Sequence, residues 1–286
     1  MDLKKINLKQ IRDFSRTSPI YFSLGFTLLV TLLNQIFAHL FHLLPQNIWM
    51  DILYEVVCIL WPVALVVIFG YSFSFRQRGI RATFGASWFI FVFYGILVIS
   101  EVGMKSINPD TPWKSDLEIF YGILMLIGIG IREEILFRGV ITNAIALKYG
   151  SSTKGLWITV LSAGAMFGAV HLSNVFTGAS FTGALVQVIG CFGGGALLSA
   201  IYLRGGSIWV MVLLHSLRDT PGLVDMLFIN APESQSASEI ISGYNLTAIP
   251  VIAIELLLAA FLLRKSKRKK IFDRIQQLKS SEMAEF

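Results

Sequence analysis

Apolar runs long enough to cross a lipid bilayer recur along the whole chain, separated by short polar breaks. A helix that crosses a hydrocarbon core of about 30 Å needs about 20 predominantly apolar residues. The predicted segments are 20–44, 52–74, 84–103, 117–147, 155–176, 181–203, 207–220 and 246–263. The predicted fold class is therefore all-α, a polytopic transmembrane bundle of about eight helices.

The composition also favours a lipid bilayer as the solvent of this chain. Its 286 residues are 55% hydrophobic and only 15% charged, which is unlike a soluble domain. The net charge is +6, but the cations form no patch with interleaved aromatic residues, so no nucleic-acid partner is indicated. Cys58 and Cys191 lie in separate apolar runs, which indicates neither a disulfide framework nor a sulfur-ligated metal.

The basic residues divide the chain and orient it. We predict a basic N-terminal segment at 1–19, a transmembrane domain at 20–263 and a basic tail at 264–286, with the first apolar run retained. Cations concentrate on the cytoplasmic side of membrane proteins, and 104–116, with two lysines, is the exception to the pattern here. The residues used are the cations Lys4, Lys5, Lys9, Arg12, Arg16, Arg76, Arg78, Arg81, Lys148, Lys154, Arg204, Arg264, Lys265, Lys267, Arg268, Lys269 and Lys270, and on the other side the acids Asp225, Glu233 and Glu239. Both termini of this integral membrane protein are therefore predicted to be cytoplasmic.

The fifth and sixth segments are rich in small residues, among them Gly164, Gly168, Gly194 and Gly195. Small residues let two helix backbones approach closely, and in lipid this contact drives helix association. The two segments are therefore predicted to form the tightly packed centre of the bundle.

The fourth segment contains a charged cluster, and charged groups inside a membrane usually pair, face a cavity or take part in chemistry. Glu134 and Arg138 are four residues apart, so they lie on one helical face with the acid on the favourable N-terminal side. Glu133 points about 100° away from that face. The pair is therefore predicted to be structural, and Glu133 is left free to act as a base.

Two further polar pairs lie in later segments. His171 follows Phe167 by one helical turn, and His215 shares a face with Asp219 just before a Thr-Pro stop. A histidine exchanges its proton near neutral pH, so it suits a carboxylate partner in proton transfer. Together Glu133, His171, His215 and Asp219 supply a general base, a proton partner and polar groups for an oxyanion, as peptide hydrolysis by water requires.

Three other ionisable residues are given no catalytic role. Glu255 lies in the middle of the eighth segment and has no partner within it, so it is either protonated or paired across the bundle. His39 and His42 lie near the end of the first segment and are predicted to be interfacial.

The three motifs, Glu133-Glu134-x-x-x-Arg138, Phe167-x-x-x-His171 and His215-x-x-x-Asp219, resemble those of the CAAX-protease and bacteriocin-processing family, also called the Abi family, over about 117–222. The family includes the type II CAAX prenyl endopeptidases. The resemblance implies a glutamate-dependent intramembrane endopeptidase that acts on a peptide or protein substrate at the membrane. It also implies roles: Glu133 and His171 activate water, Glu134 and Arg138 fix the helix, and His215 and Asp219 stabilise the oxyanion.

Two questions about this mechanism stay open at the sequence level. An ionised Asp219 cannot donate to an oxyanion, so it is protonated, orients His215, or binds a metal. Glu133, His171 and His215 are also a sensible zinc ligand set of the His2Glu kind, although a mechanism without a cofactor is favoured.

Depth and function leave further alternatives. If the fourth and fifth segments are straight helices, Glu133 and His171 are predicted to lie at different depths in the membrane. The depth of Glu133 is counted from the outer end of the fourth segment, and that of His171 from the inner end of the fifth.

The same intramembrane acids and histidines suit a proton-coupled transporter, whose typical repeats are not evident. The resemblance also allows a non-enzymatic bacteriocin-immunity protein, in which the motif residues are replaceable.

Overall fold

The computed structural model describes residues 8–45, 48–76, 79–230, 236–245 and 249–283, without the side chains of Ile48, Asp51 and Arg76. The α-helices are α1 (Leu8–Thr17), α2 (Pro19–His42), α3 (Ile48–Ile68), α4 (Ile80–Ser106), α5 (Asp116–Leu136), α6 (Asn143–Tyr149), α7 (Thr153–Val170), α8 (Phe181–Gly205), α9 (Ile208–Asp219), α10 (Val224–Phe228), α11 (Ala237–Ser242), α12 (Ile249–Leu262) and α13 (Lys265–Met283). A π-helix, Phe137–Thr142, joins α5 to α6, and 3-10 helices form at Ser72–Arg76, His171–Thr177 and Thr220–Leu223. Within the described ranges β structure is limited to one isolated bridge, so the all-α prediction is confirmed.

A helix occupies each of the eight predicted apolar segments, and the fourth is filled by the continuous run of α5, the π-helix and α6. Four helices of the described chain are long and apolar enough to cross a membrane by themselves: α2, α4, the run Thr153–Thr177 and α8. The chain is therefore an integral membrane protein. The count of eight crossings and the side of the termini remain predictions, and Lys4, Lys5, Arg78 and Glu233 lie outside the described residues.

The outer surface of the bundle is apolar, as contact with acyl chains requires. Large side chains such as Leu28, Trp88, Ile99 and Leu257 are all more than 60% exposed. In water such a surface would drive aggregation, so the exposed apolar faces support a lipid environment.

The predicted close packing of the fifth and sixth segments is confirmed in the contact between α7 and α8. A methyl group added to Gly164 would lie 2.8 Å from the carbonyl oxygen of Phe192, and one added to Gly168 would lie 2.5 Å from that of Val188. Both separations are shorter than a van der Waals contact, so only glycine fits at these two positions of α7.

Different helices pack on the two ends of the bundle. At one end α13 buries Ile271, Ile275 and Leu278 against the bundle, and its Glu282 pairs with Arg16 of α1 at 2.7 Å. At the other end α11 packs on the start of α8, where the Ser180 amide donates to the Ser242 hydroxyl at 2.8 Å. The terminal helices therefore share one end of the bundle.

Two stretches outside the predicted apolar segments also form helices. The stretch 221–245 contains α10 and α11. The basic tail after 263 forms the helix α13. Both stretches are too short or too polar to register as apolar segments, because their helices gain stability by packing on the bundle.

Candidate active site

The site begins with the two adjacent glutamates near the end of α5. Ser115 caps the start of this helix in a capping box with Glu118. Successive helical residues diverge by about 100°, so Glu134 is fully buried while the side chain of Glu133 keeps 19% exposure. The helix passes into the π-helix directly after these residues, and such a widened turn is frequent at functional sites.

Glu134 and Arg138 form the ion pair that their spacing predicts. Arg138 Nη1 donates to Glu134 Oε1 at 2.8 Å, and Nη2 donates to the Gly195 carbonyl of α8 at 3.2 Å. Both side chains are completely buried, and the guanidinium carbon lies 4.9 Å from the centre of the Phe167 ring. The pair therefore ties α5 and the π-helix to α7 and α8.

His215 of α9 has both ring nitrogens against carboxylates. Its Nδ1 lies 2.6 Å from Glu134 Oε1, while Nε2 lies 3.2 Å from Asp219 Oδ2 and 3.5 Å from Glu133 Oε2. An imidazolium with a hydrogen on each nitrogen satisfies all three contacts, because ionised carboxylates only accept. Glu134 thus orients both Arg138 and His215. Its contact with His215 joins residues that are 81 positions apart in the sequence.

His171 lies at the junction of α7 and the following 3-10 helix. Its Nδ1 lies 2.9 Å from the carbonyl oxygen of Phe167. Since a carbonyl can only accept, Nδ1 carries the hydrogen, and in the neutral ring Nε2 has the lone pair. The Phe167 ring lies edge-on to both imidazoles, with ring centres 5.1 Å from His171 and 5.5 Å from His215, so this phenylalanine spaces the two histidines.

The four predicted catalytic residues line one cavity of about 710 Å³, within the usual size range of ligand pockets. The charged or polar members of its wall are Tyr54, Arg132, Glu133, His171, Asn174, Gln187, Cys191, His215, Arg218, Asp219, Tyr244 and Asn245. His39 and His42 lie exposed at the end of α2, apart from this cavity.

The predicted difference in depth between Glu133 and His171 is not found. Both residues lie nearly the same distance from the turn that joins α6 to α7: Glu133 is 16 residues before Tyr149, and His171 is 18 residues after Thr153. At 1.5 Å per residue these are roughly 24 Å and 27 Å. The mismatch arose because the fourth segment is longer than a single crossing, so its outer end was the wrong point from which to count.

A second buried ion pair was not predicted. Arg218 Nε donates to Glu255 Oε1 at 2.7 Å, and the Tyr94 hydroxyl donates to the same oxygen at 2.7 Å. Gly193 makes room for this acid, since a methyl group there would lie 2.8 Å from Glu255 Oε2. Glu255 is thus paired across the bundle, one of the two outcomes expected for it. The signal was present, because an unpaired acid in one span calls for a base in another.

Residues of α11 and the stretch after it line part of the cavity. Asn174 Nδ2 donates to Gln187 Oε1 at 2.7 Å on one wall. Tyr244 also lines the cavity, and burial raises the pKa of its hydroxyl, so the group is neutral at physiological pH.

The zinc ligand set left open by the sequence does not have the arrangement of a metal site. In the ranges that the structure describes, no group of three or more His, Cys, Asp or Glu side chains is placed to hold a metal ion. Both nitrogens of His215 are in contact with carboxylates, Nδ1 with Glu134 and Nε2 with Asp219. We therefore derive no step through a metal.

Comparison with known proteins gives one match. Residues 115–220 match a family model described as "Rce1-like: Type II CAAX prenyl endopeptidase Rce1-like". No curated protein and no solved structure was found to match the chain. The matched range contains all three motifs from Glu133 to Asp219 and thus the four residues that converge on the cavity.

Proposed function

We propose that this protein, whose residues 115–220 match the Rce1-like model of type II CAAX prenyl endopeptidases, is an intramembrane endopeptidase whose nucleophile is a water activated by Glu133. The observation that carries the proposal is the convergence of Glu133, His171, His215 and Asp219 on one cavity in a lipid-facing bundle. Its substrates are peptides or proteins that are themselves held at the membrane.

In this mechanism Glu133 is the general base. Its carboxylate takes a proton from water as the water oxygen attacks the scissile carbonyl carbon, and the lone pair of His171 Nε2 accepts the second hydrogen of that water. When the C–N bond breaks, the protonated Glu133 returns its proton to the leaving amine. The carboxylate is thereby restored for the next cycle.

The oxyanion is stabilised by His215, and Asp219 has an orienting role. His215 Nε2 is 3.2 Å from Asp219 and 3.5 Å from Glu133, both longer than the common N–H···O distance of about 2.9 Å. A substrate oxygen can therefore compete for this hydrogen as it gains charge. Glu134 holds the opposite nitrogen at 2.6 Å and fixes the ring.

The proposal is tested by incubating the purified wild-type protein in detergent with a panel of peptides. The panel contains a prenylated C-a-a-X peptide, its unprenylated form and leader-type peptides, each with and without a strong zinc chelator, and bound metal is measured. We expect cleavage that persists after chelation. Loss of cleavage that added zinc restores would replace the mechanism by a zinc-dependent one, in which Glu133, His171 and His215 become ligands.

The same experiment separates the other classes of function. If the wild-type protein cleaves no peptide of the panel, the peptidase proposal fails. An immunity protein or a proton-coupled transporter would then be the better hypothesis. An immunity protein would keep its cellular effect when Glu133 is replaced. A proton-coupled transporter with the same replacement would lose transport of its solute.

We also propose that the bundle crosses the membrane eight times with both termini in the cytoplasm. The proposal is supported by the shared end of α1 and α13 and by the basic residues of that end. Cys58 is buried and Cys191 lines the cavity, so both are first replaced by alanine, and an impermeant thiol reagent then labels only an introduced cysteine. In intact cells the exposed variant Asn230→Cys is expected to be labelled, and Lys269→Cys only after permeabilisation; the reverse pattern would invert the topology.

A further inference from the structure

The proposed catalytic steps make no use of the ion pair between Arg218 and Glu255, yet this pair lies directly beside the active site. Arg218 lines the same cavity as the four catalytic residues and precedes Asp219 in the chain. Glu255 is completely buried in α12. A buried ion pair loses the hydration of two charges, and the attraction within the pair often does no more than offset that loss. Stability alone is therefore a weak explanation for this pair.

Glu255 fixes the guanidinium of Arg218 in one orientation. Arg218 Nε and Nη2 both donate to the carboxylate of Glu255, at 2.7 Å and 3.4 Å, and Nη2 also donates to the Gly190 carbonyl at 3.1 Å. The Tyr94 hydroxyl of α4 donates to the same carboxylate at 2.7 Å. Because the guanidinium is planar and rigid, contacts at two of its nitrogens also set the direction of the third, Nη1.

Two neighbouring glycines of α8 leave room for this arrangement. A methyl group added to Gly194 would overlap the guanidinium of Arg218. One added to Gly193 would lie 2.8 Å from Glu255 Oε2, which is closer than a van der Waals contact. The ion pair therefore packs directly on the backbone of α8, and a larger residue at either position would displace it.

The third nitrogen of the guanidinium contacts the active site. Arg218 Nη1 donates to Asp219 Oδ1 at 3.4 Å, while the other oxygen of this carboxylate, Oδ2, lies 3.2 Å from His215 Nε2. The carboxylate of Asp219 thus lies between the guanidinium and the imidazole, so a rotation of the carboxylate changes both contacts. A row of contacts therefore joins Glu255 of α12, through Arg218 and Asp219, to the ring that is proposed to stabilise the oxyanion.

Arg218 also balances charge next to His215. Three carboxylates lie within 3.5 Å of this imidazole, those of Glu133, Glu134 and Asp219. Like charges that crowd around one cation repel each other, and the repulsion is stronger in the protein interior than in water. Arg138 offsets the charge of Glu134 at 2.8 Å, and Arg218 offsets that of Asp219 at 3.4 Å. Loss of Arg218 therefore weakens the hold on Asp219 and, through it, on His215.

We propose that Arg218 and Glu255 are positioning residues of the peptidase. Glu255 fixes Arg218, and Arg218 in turn holds Asp219. Asp219 then keeps the N–H of His215 at the place where the oxyanion forms. The inference rests on the proposed function and extends the catalytic unit beyond 115–220, the range that matches the family model. Since Glu255 lies outside this range, α12 takes part in catalysis as well as in packing.

The test removes both charges of the pair, so that no unpaired charge stays buried. The double variant Arg218→Met Glu255→Gln is expected to fold, because neutral replacement of a whole buried pair is often tolerated. We expect kcat to fall by about ten- to hundredfold with KM within about twofold, as misplacement of a catalytic group by about 1 Å does. A folded double variant with a kcat within about twofold of the wild type would show that the pair is only structural.

A conservative variant keeps the inference testable if the double variant does not fold. Arg218→Lys retains a cation beside Glu255, but its single nitrogen cannot hold two carboxylates in the fixed directions of a guanidinium. This variant should fold and still lose at least about tenfold in kcat. Wild-type kcat in Arg218→Lys would overturn the inference.

A second comparison shows whether the pair acts through Asp219. In protein that already carries Asp219→Ala, the double change should lower kcat by less than about twofold more, because no carboxylate is left to hold. An equal loss in both backgrounds would contradict the inference. The matched control is the pair of Arg16 and Glu282, whose Nε and Oε1 atoms also lie 2.7 Å apart. Arg16→Met Glu282→Gln lies outside the cavity and should keep the wild-type kcat.

A spectroscopic measurement separates the inference from the peptidase proposal. The chain has four histidines, so NMR of protein with isotope-labelled histidine follows each ring. Arg218→Met Glu255→Gln should shift the resonances of His215 and leave those of His39 and His42, both exposed on α2, in place. Unchanged His215 resonances would overturn the positioning role. If the wild-type protein cleaves no peptide while the His215 resonances still shift, the peptidase proposal fails and the hold of Arg218 on His215 remains.

Discussion

Replacing Arg138 by methionine is expected to lower the free energy of unfolding by about 3–5 kcal/mol, the usual cost of removing one partner from a buried ion pair. The substitution roughly keeps the volume of the side chain but removes the arginine of the pair, so that the fully buried Glu134 keeps only its contact with His215. It also removes the donor to the Gly195 carbonyl. Thermal or denaturant unfolding in a fixed detergent measures the effect.

A double variant shows whether the pair or the arginine alone is responsible. Glu134→Gln combined with Arg138→Met removes both charges of the pair, so it should recover part of the lost stability, because the carboxylate is no longer buried without its arginine and His215 keeps Asp219 as a charged partner. If Arg138→Met alone costs less than about 1 kcal/mol, as exposed pairs do, the pair does not stabilise the bundle in the way described here.

Glu133→Gln is expected to reduce kcat for peptide cleavage by at least about a hundredfold, and by up to about ten-thousandfold, as the loss of a general base does. Glutamine keeps the size of the side chain but cannot take a proton from water. Stability should change little, because Glu133 is partly exposed to the cavity and its one ion-pair contact, to His215, is long, at 3.5 Å.

Controls for this variant come from the same chain. Glu101→Gln changes an acid of α4 outside the cavity and should leave kcat within about twofold, as surface changes away from a site usually do. A Glu133→Gln protein that is folded and cleaves peptide at the wild-type rate would assign the base to another residue.

Much of the fold and the contacts within single helices could be predicted from the sequence. The positions of the eight apolar segments follow from the length that lipid imposes on a helix. The pairs Glu134–Arg138 and His215–Asp219 follow from the four-residue spacing of one helical face, and both are present at 2.8 Å and 3.2 Å. Such predictions work because they depend only on local geometry.

Contacts between helices could not be predicted in the same way. The bond from Glu134 to His215 and the pair of Arg218 with Glu255 join helices that are distant in sequence. Which faces meet depends on the rotation and tilt of each helix, and in a bundle surrounded by lipid, packing details decide them. The small helices α10 and α11 could not be predicted either, because tertiary contacts stabilise them more than their own composition does.

The site shows the same division between local and long-range information. The three motifs indicated which residues form the candidate site, whereas the orienting bond from Glu134 and the spacing role of Phe167 required the packed structure.

The most direct test of the central claim is the single-turnover rate of cleavage of one prenylated C-a-a-X peptide, followed by mass spectrometry with purified protein in excess. Wild-type protein and Glu133→Gln are compared at equal concentrations of folded protein after chelation of metals. The account predicts cleavage at one peptide bond by the wild type and a rate lower by at least about a hundredfold in the variant. Absence of cleavage by the wild type, or equal rates for the two proteins, would contradict it.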